Sequence, residues 1–125
     1  MPSLVDTDVM IEFLRGNEKA RQFIHTKIND MLLSAVTVAE LYAGIREGNE
    51  RELLSQFLNY VSVVSIDTDI AKLGGLYKRD YGKSHGTGLA DAIIAASANT
   101  ANATLYTFNT KHFPMVNSLE QPYVK

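Results

Sequence analysis

Apolar positions along this chain switch between short continuous runs and helical spacing. Residues 4–6, 31–35, 61–66 and 103–107 are short runs that read as strands. The second is unbroken, which is typical of a strand covered on both faces. The third is rich in β-branched residues, which suit strands. Between them, period-3.6 spacing predicts helices over 8–15 (ending near Gly16), 18–27, 38–46, 51–60, 70–81 and 89–98. Phe23 and Ile24 mark the apolar side of the second. Gly48-Asn49 separates the third from the fourth, and the fifth runs across Gly74-Gly75. Residues 116–124 predict a weak edge strand, since Pro122 has no N–H to donate.

Strands alternating with helices require crossover connections, and therefore a mainly parallel sheet with helices on both faces. The expected architecture is a three-layer α/β/α fold in one domain spanning residues 1–125. No linker, repeat or low-complexity tract interrupts it. Sites in such folds lie at the carboxyl ends of the strands.

Composition narrows the class. Apolar residues make up 46% of the chain, enough for a buried sheet, yet no run approaches the roughly 20 residues a membrane span needs. No basic-then-apolar leader opens the chain, and there are no cysteines for disulfides or thiolate metal sites. The expectation is a cytoplasmic protein with no membrane association. The formal net charge of -2 excludes a generic basic nucleic-acid coat protein. Any nucleic acid must be met by a local basic patch or through a metal ion.

The chemistry-bearing residues are acids set beside small or apolar neighbours: Asp6, Glu40 in TVAELYAGI (37–45) and Asp91 in GTGLADAIIAASA (86–98). Buried carboxylates need a positive partner, and a hard divalent cation takes oxygen ligands. Each acid also has a local reading. Asp6 suits the N-cap of the next helix, and Asp8 suits its first turn. Thr37 and Glu40 match a T-x-x-E capping box, although Ala43 and Gly44 keep the Glu40 face small. Asp91 fits a first helical turn behind Thr87 or Gly88, but shares its face with Ile94, Ala95 and Ala98, so it is expected on the buried side. Asp67-Thr68-Asp69 repeats the Asp6-Thr7-Asp8 pattern after another strand, and Asp67 is expected to be a plain cap.

The basic and histidine residues add less. Lys78, Arg79 and Lys83 form the densest basic stretch, either a solvated helix end or a phosphate-tracking rim. His85 is expected in a loop with Lys83 and Ser84, as a loop residue or a phosphate contact, His25 on a helix surface, and His112, beside Lys111, in a packing role with nucleic-acid contact as the alternative.

Four segments in order, LVDTDVMIEFLRG (4–16), TVAELYAGI (37–45), LADAIIAASA (89–98) and TLYTFNTKHFP (104–114), resemble the PIN-domain ribonucleases, specifically VapC toxins of toxin–antitoxin pairs. The resemblance covers nearly the whole chain. It implies a metal-dependent endoribonuclease using Mg²⁺ or Mn²⁺ and leaving 5′-phosphate and 3′-hydroxyl ends. It implies Asp6, Glu40 and Asp91 as metal-binding acids, with Asn109 at a fourth position that is acidic in many members. Thr7, Asp8 and Thr107 would support the pocket, and Lys78, Arg79, Lys83, His85 and Lys111 are candidates to contact RNA. It further implies a homodimer, an inhibitory cognate antitoxin and an RNA substrate of the tRNA or rRNA class. The first helix, apolar at Val9, Met10, Ile11, Phe13 and Leu14, fits deep burial or a covering partner.

Two other readings stand beside this one. In a phospho-receiver signalling domain, Asp6 and Asp8 would bind Mg²⁺, Asp67 would accept the phosphoryl group and Lys111 would assist. In a catalytically degenerate PIN module, Asn109 would mark lost cleavage with RNA or protein binding retained.

Overall fold

The computed structural model describes residues 1–125. Five strands form one sheet in the order β3-β2-β1-β4-β5, and every neighbouring pair is parallel. The strands are β1 (Ser3–Val5), β2 (Met31–Ser34), β3 (Ser62–Val64), β4 (Thr104–Tyr106) and β5 (Leu119–Glu120). The helices are α1 (Thr7–Leu14), α2 (Glu18–Lys27), α3 (Ala35–Ala43), α4 (Asn49–Phe57), α5 (Thr68–His85) and α6 (Leu89–Thr100). No helix is long and apolar enough to cross a membrane.

Strand alternation sorts the core into two layers. Val5, Met31, Leu33 and Tyr106 face Val9, Met10, Leu14, Phe23, Ile24, Leu41, Leu54 and Phe57. Leu4 and Leu105 face the other way, against Ile94, Ala95 and Ala98 of α6 and against Phe113 and Val116. Small residues on α6 let it lie close to the sheet, and α5 packs outside it. Gly74 makes that packing close: a Cβ there would stand 3.0 Å from Ile93 Cγ1 and 3.3 Å from Ile93 Cα. β3 is an exposed edge, with Val63 42% accessible.

Some boundaries differ from expectation, each for a local reason. Asp6 caps α1, so the helix begins at Thr7 rather than at Asp8. Ser34 caps α3 by accepting from the Val36 N–H, so that helix runs over Ala35–Ala43 rather than 38–46. α5 continues to His85 and ends only where Gly86 turns left-handed at φ 67°. Lys83, Ser84 and His85 are therefore its last turn, not a loop. Asp67 accepts from the Ile70 N–H and caps α5, which is its plain local role.

The sheet order creates a switch point. The chain steps from β1 to β2 to β3 on one side, then returns to place β4 on the other side of β1. A crevice forms where the connections diverge, beyond the carboxyl ends of β1 and β4.

The two adjacent glycines of α5 should respond oppositely to substitution. Gly75 meets nothing within 4 Å, so Gly75→Ala should stabilise the fold by about 0.5–1 kcal/mol through helix propensity. Gly74→Val must push α5 off Ile93 and should lose about 1–3 kcal/mol. Urea unfolding of both variants checks this, and a destabilised Gly75→Ala would contradict it.

Candidate active site

Asp6 stands directly after β1, and its N–H donates to the Tyr106 carbonyl at 3.0 Å, extending the β1–β4 ladder by one bond. Its side chain is only 4% exposed. One carboxylate oxygen accepts from the Thr7 N–H at 2.8 Å, and the other from the Thr107 hydroxyl at 2.7 Å. Thr107, fully buried just past β4, in turn accepts from the Asn109 N–H at 3.0 Å. The ends of β1 and β4 are thus tied together through a carboxylate.

Asp8 is the second acid here. Its Oδ2 accepts from the Phe108 N–H at 3.0 Å and from the Asn109 amide at 3.3 Å, and lies 3.4 Å from the Thr107 hydroxyl. Its Oδ1 is buried and has no partner. Burial raises the pKa of Asp6 to about 7, and the neighbouring charge of Asp8 raises it next, with Asp91 adding a smaller push. Burial also raises Asp8, against the opposing hydrogen bond from Phe108.

Glu40 and Asp91 border the same crevice. The Thr7 hydroxyl donates to Glu40 at 2.6 Å and sits 3.1 Å from the hydroxyl of Thr37. The T-x-x-E reading of Thr37 and Glu40 is therefore replaced. Thr37 lies inside α3, fully buried beneath Thr7, and Glu40 lies past the first turn on an exposed face. Asp91 accepts from the Gly88 N–H at 3.3 Å, which closes the first turn of α6. Its side chain remains 29% exposed, so it is not confined to the buried face as its neighbours suggested. His112 Nδ1 lies 3.5 Å from Asp91 Oδ2. The packing role read for His112 omits this contact, because the short turn Thr110–His112 that aims the ring leaves no periodic signal.

The remaining sequence candidates fall around α5 and the loop after β4. Lys78 is not a free basic group, because it donates to the Thr87 carbonyl at 3.0 Å. Arg79 is paired with Asp80 at 2.8 Å. Lys83, His85 and Lys111 are exposed. Asp67, two strands from β1 on the far edge, does not join the acids, which removes the phosphoacceptor required by a receiver domain.

The donor set fits a hard divalent cation: carboxylate oxygens, an amide, one buried oxygen without a partner, and acids whose pKa values are raised first by burial and, for Asp6, next by the charge of Asp8. No three of these groups stand as a closed ligand set in this conformation. Like charges repel, and Glu40 and Asp91 are meanwhile occupied by Thr7 and Gly88.

The raised pKa values carry a stability signature. Between pH 4 and 7 the folded state holds protons on Asp6 that the unfolded chain has released, so stability falls as pH rises through that window. Asp6→Asn keeps an N-cap acceptor and removes the charge. In EDTA it should be more stable than the parent at pH 8 by an amount on the order of a few kcal/mol, and equal to it near pH 4. Denaturant unfolding at the two pH values tests this; a variant weakened equally at both would contradict it.

Three comparisons place the chain. It is 37% identical to Ribonuclease VapC19 of Mycobacterium tuberculosis over 96% of this chain and 98% of that one. It is also 37% identical to Ribonuclease VapC10 of the same organism, over 96% of this chain and 92% of that one. Among solved structures, a chain of a toxin–antitoxin complex from Klebsiella pneumoniae superposes with a TM-score of 0.83 at 25% identity, covering 98% of this chain and 99% of that one. The PIN domain model matches residues 3–117. Taken with the acids gathered beyond β1 and β4, these matches show that the chain belongs to the PIN-domain family, among the VapC ribonucleases.

Proposed function

We propose that this chain, as one PIN domain over residues 1–125, is the toxin of a toxin–antitoxin pair and hydrolyses RNA internally with a divalent cation, Mg²⁺ or Mn²⁺. The observation that supports this reading is the pairing of Asp6 and Asp8 around Thr107 at the switch point, with a buried Asp8 oxygen unpartnered, Asp91 near enough for its charge to act on Asp6, and Glu40 tied in through Thr7. Asp6 and Asp91, with Glu40 or Asp8, would hold the ion. When bound, such an ion lowers the pKa of a water ligand and neutralises charge developing on the phosphoryl oxygens.

The protein residues supply position. Thr107 and the Thr7 N–H fix both Asp6 oxygens, so this carboxylate cannot rotate away. The Thr7 hydroxyl holds Glu40 at the mouth, where the carboxylate can orient the attacking water. Asn109 steadies Asp8 with its amide N–H, a task a fourth carboxylate could not perform, while its amide oxygen remains an uncharged ligand. Water attacks phosphorus in line with the P–O3′ bond, which breaks; O3′ leaves and takes up a proton from solvent, so the products carry a 5′-phosphate and a 3′-hydroxyl, and the 2′-hydroxyl is not used.

The cellular setting follows from the same reading: a cytoplasmic protein acting on RNA of the tRNA or rRNA class, forming a homodimer and inhibited by a cognate antitoxin. Ile11 of α1 is 42% exposed and shares a small cavity with Glu40, offering an antitoxin an apolar anchor, and an inserted arginine would neutralise the acids.

Antitoxin-free protein should cut total RNA with Mg²⁺ or Mn²⁺, and not in EDTA, leaving 5′-phosphate ends. Asp6→Asn should lower the rate by about 100-fold or more with the fold retained by circular dichroism. Thr7→Val, which releases Glu40, should lower it by about 10- to 100-fold. Cleavage that survives Asp6→Asn, or products ending in 2′,3′-cyclic phosphate, would sink this mechanism. Intact RNA in the presence of tightly bound RNA and metal would favour the non-cleaving module.

A further inference from the structure

Beside Asp91 lies a cleft lined by Ser84, His85, Gly86, Lys111 and His112, with no apolar side chain and no carboxylate among them. It forms where the last turn of α5 meets the turn after β4. Sequence separates these walls by more than 20 residues, and neither is distinctive alone.

His112 divides this cleft from the acids. One edge of its ring, at Nδ1, stands 3.5 Å from Asp91 Oδ2. The other edge faces Gly86, where a Cβ would lie 3.6 Å from Nε2 and 3.7 Å from Cδ2. The walls are also tied to each other. The buried Thr87 hydroxyl donates to the His112 carbonyl at 2.7 Å, and Lys78 donates to the Thr87 carbonyl at 3.0 Å. The cleft is therefore held open by fixed backbone rather than by chance side-chain placement. Within it, Ser84 Oγ lies 2.7 Å from His85 Nδ1. With the serine donating, the neutral ring carries its proton on Nε2 as a further donor. Lys111 is exposed and has no acidic partner.

A polyanion has little reason to approach a protein of net charge -2 at its most acidic point. Holding it needs donors and positive charge a short step from the acids, and this cleft supplies both. We propose that it is a phosphate subsite, which seats an RNA backbone phosphate neighbouring the scissile one. Lys111 supplies the charge, His85 and His112 supply hydrogen bonds, and the Ser84 hydroxyl orients the His85 ring. The subsite rests on the ribonuclease reading above for its ligand, and it assigns a place to His85 and Lys111 that Arg79, paired with Asp80, does not share.

The test is binding, separated from cutting. In the full-length Asp6→Asn background with Mg²⁺, fluorescence anisotropy with a labelled single-stranded RNA gives the dissociation constant at several KCl concentrations. Lys111→Ala combined with His85→Gln should weaken binding about tenfold and lower the slope of log K against log salt by about one. Lys72→Ala, an exposed lysine near the opposite end of α5, should change neither. Inorganic phosphate titrated against the ¹⁵N-labelled protein should shift the Gly86 and Lys111 amides in the parent and not in the double variant. Unchanged affinity and slope in the double variant would overturn the subsite, even if the parent chain cleaves RNA. An equal loss in Lys72→Ala would overturn it too, by reducing the effect to overall charge. Subsite-dependent binding by a chain that never cleaves would retain the subsite and reject only the nuclease.

Discussion

Asp6 is a carboxylate that is at once buried and held immobile. It ends the central strand, caps α1 through the Thr7 amide and takes the Thr107 hydroxyl from the neighbouring strand. Burial next to Asp8 works against its ionisation and lifts its pKa to about 7. Two hydrogen bonds on the carboxylate only partly offset that. The residual imbalance is a property of the fold without a cation, and it is relieved by whatever positive group enters the crevice. Packing, capping and sheet register around β1 all serve to keep this carboxylate in one place.

The sheet order then decides what can reach Asp6. Because β2 and β3 lie on one side of β1 while β4 and β5 lie on the other, α1 and the loop after β4 meet at the crevice. Thr107, Phe108 and Asn109 arrive from that loop and take up Asp8. α3 brings Glu40, and α6 brings Asp91 with His112 behind it. Hydroxyls and backbone N–H groups do most of the holding. They position carboxylates without neutralising them, so the negative potential remains available to a cation. The same arrangement repels RNA, which makes a carboxylate-free cleft next to Asp91 a physical complement to the acids rather than an incidental groove.

Much of this was legible along the chain, and the failures are specific. Strand runs and helical spacing identified the alternation, and the four motif segments identified the family. The capping box at Thr37 misled because Ser34, three residues earlier, offers an equivalent hydroxyl at the end of a strand. Local sequence cannot choose between two caps when burial of Thr37 beneath Thr7 decides. The length of α5 was underestimated because Lys83, Ser84 and His85 read as polar loop residues. They stay helical because only Gly86 can adopt the left-handed turn that ends the helix. Lys78 looked like a free basic residue until the fold brought the Thr87 carbonyl to it.

By itself the sequence determined the element types and the parallel character of the sheet and marked the candidate acids, since these depend on periodicity and on chemistry within short segments. Only the tertiary structure decided which acids share a pocket, how each is held and where the basic groups stand. Asp6 and Asp67 open the same Asp-Thr-Asp pattern, yet one follows the central strand and the other follows an edge strand. The difference is strand order, a long-range outcome of two-layer packing around β1 that no local pattern encodes.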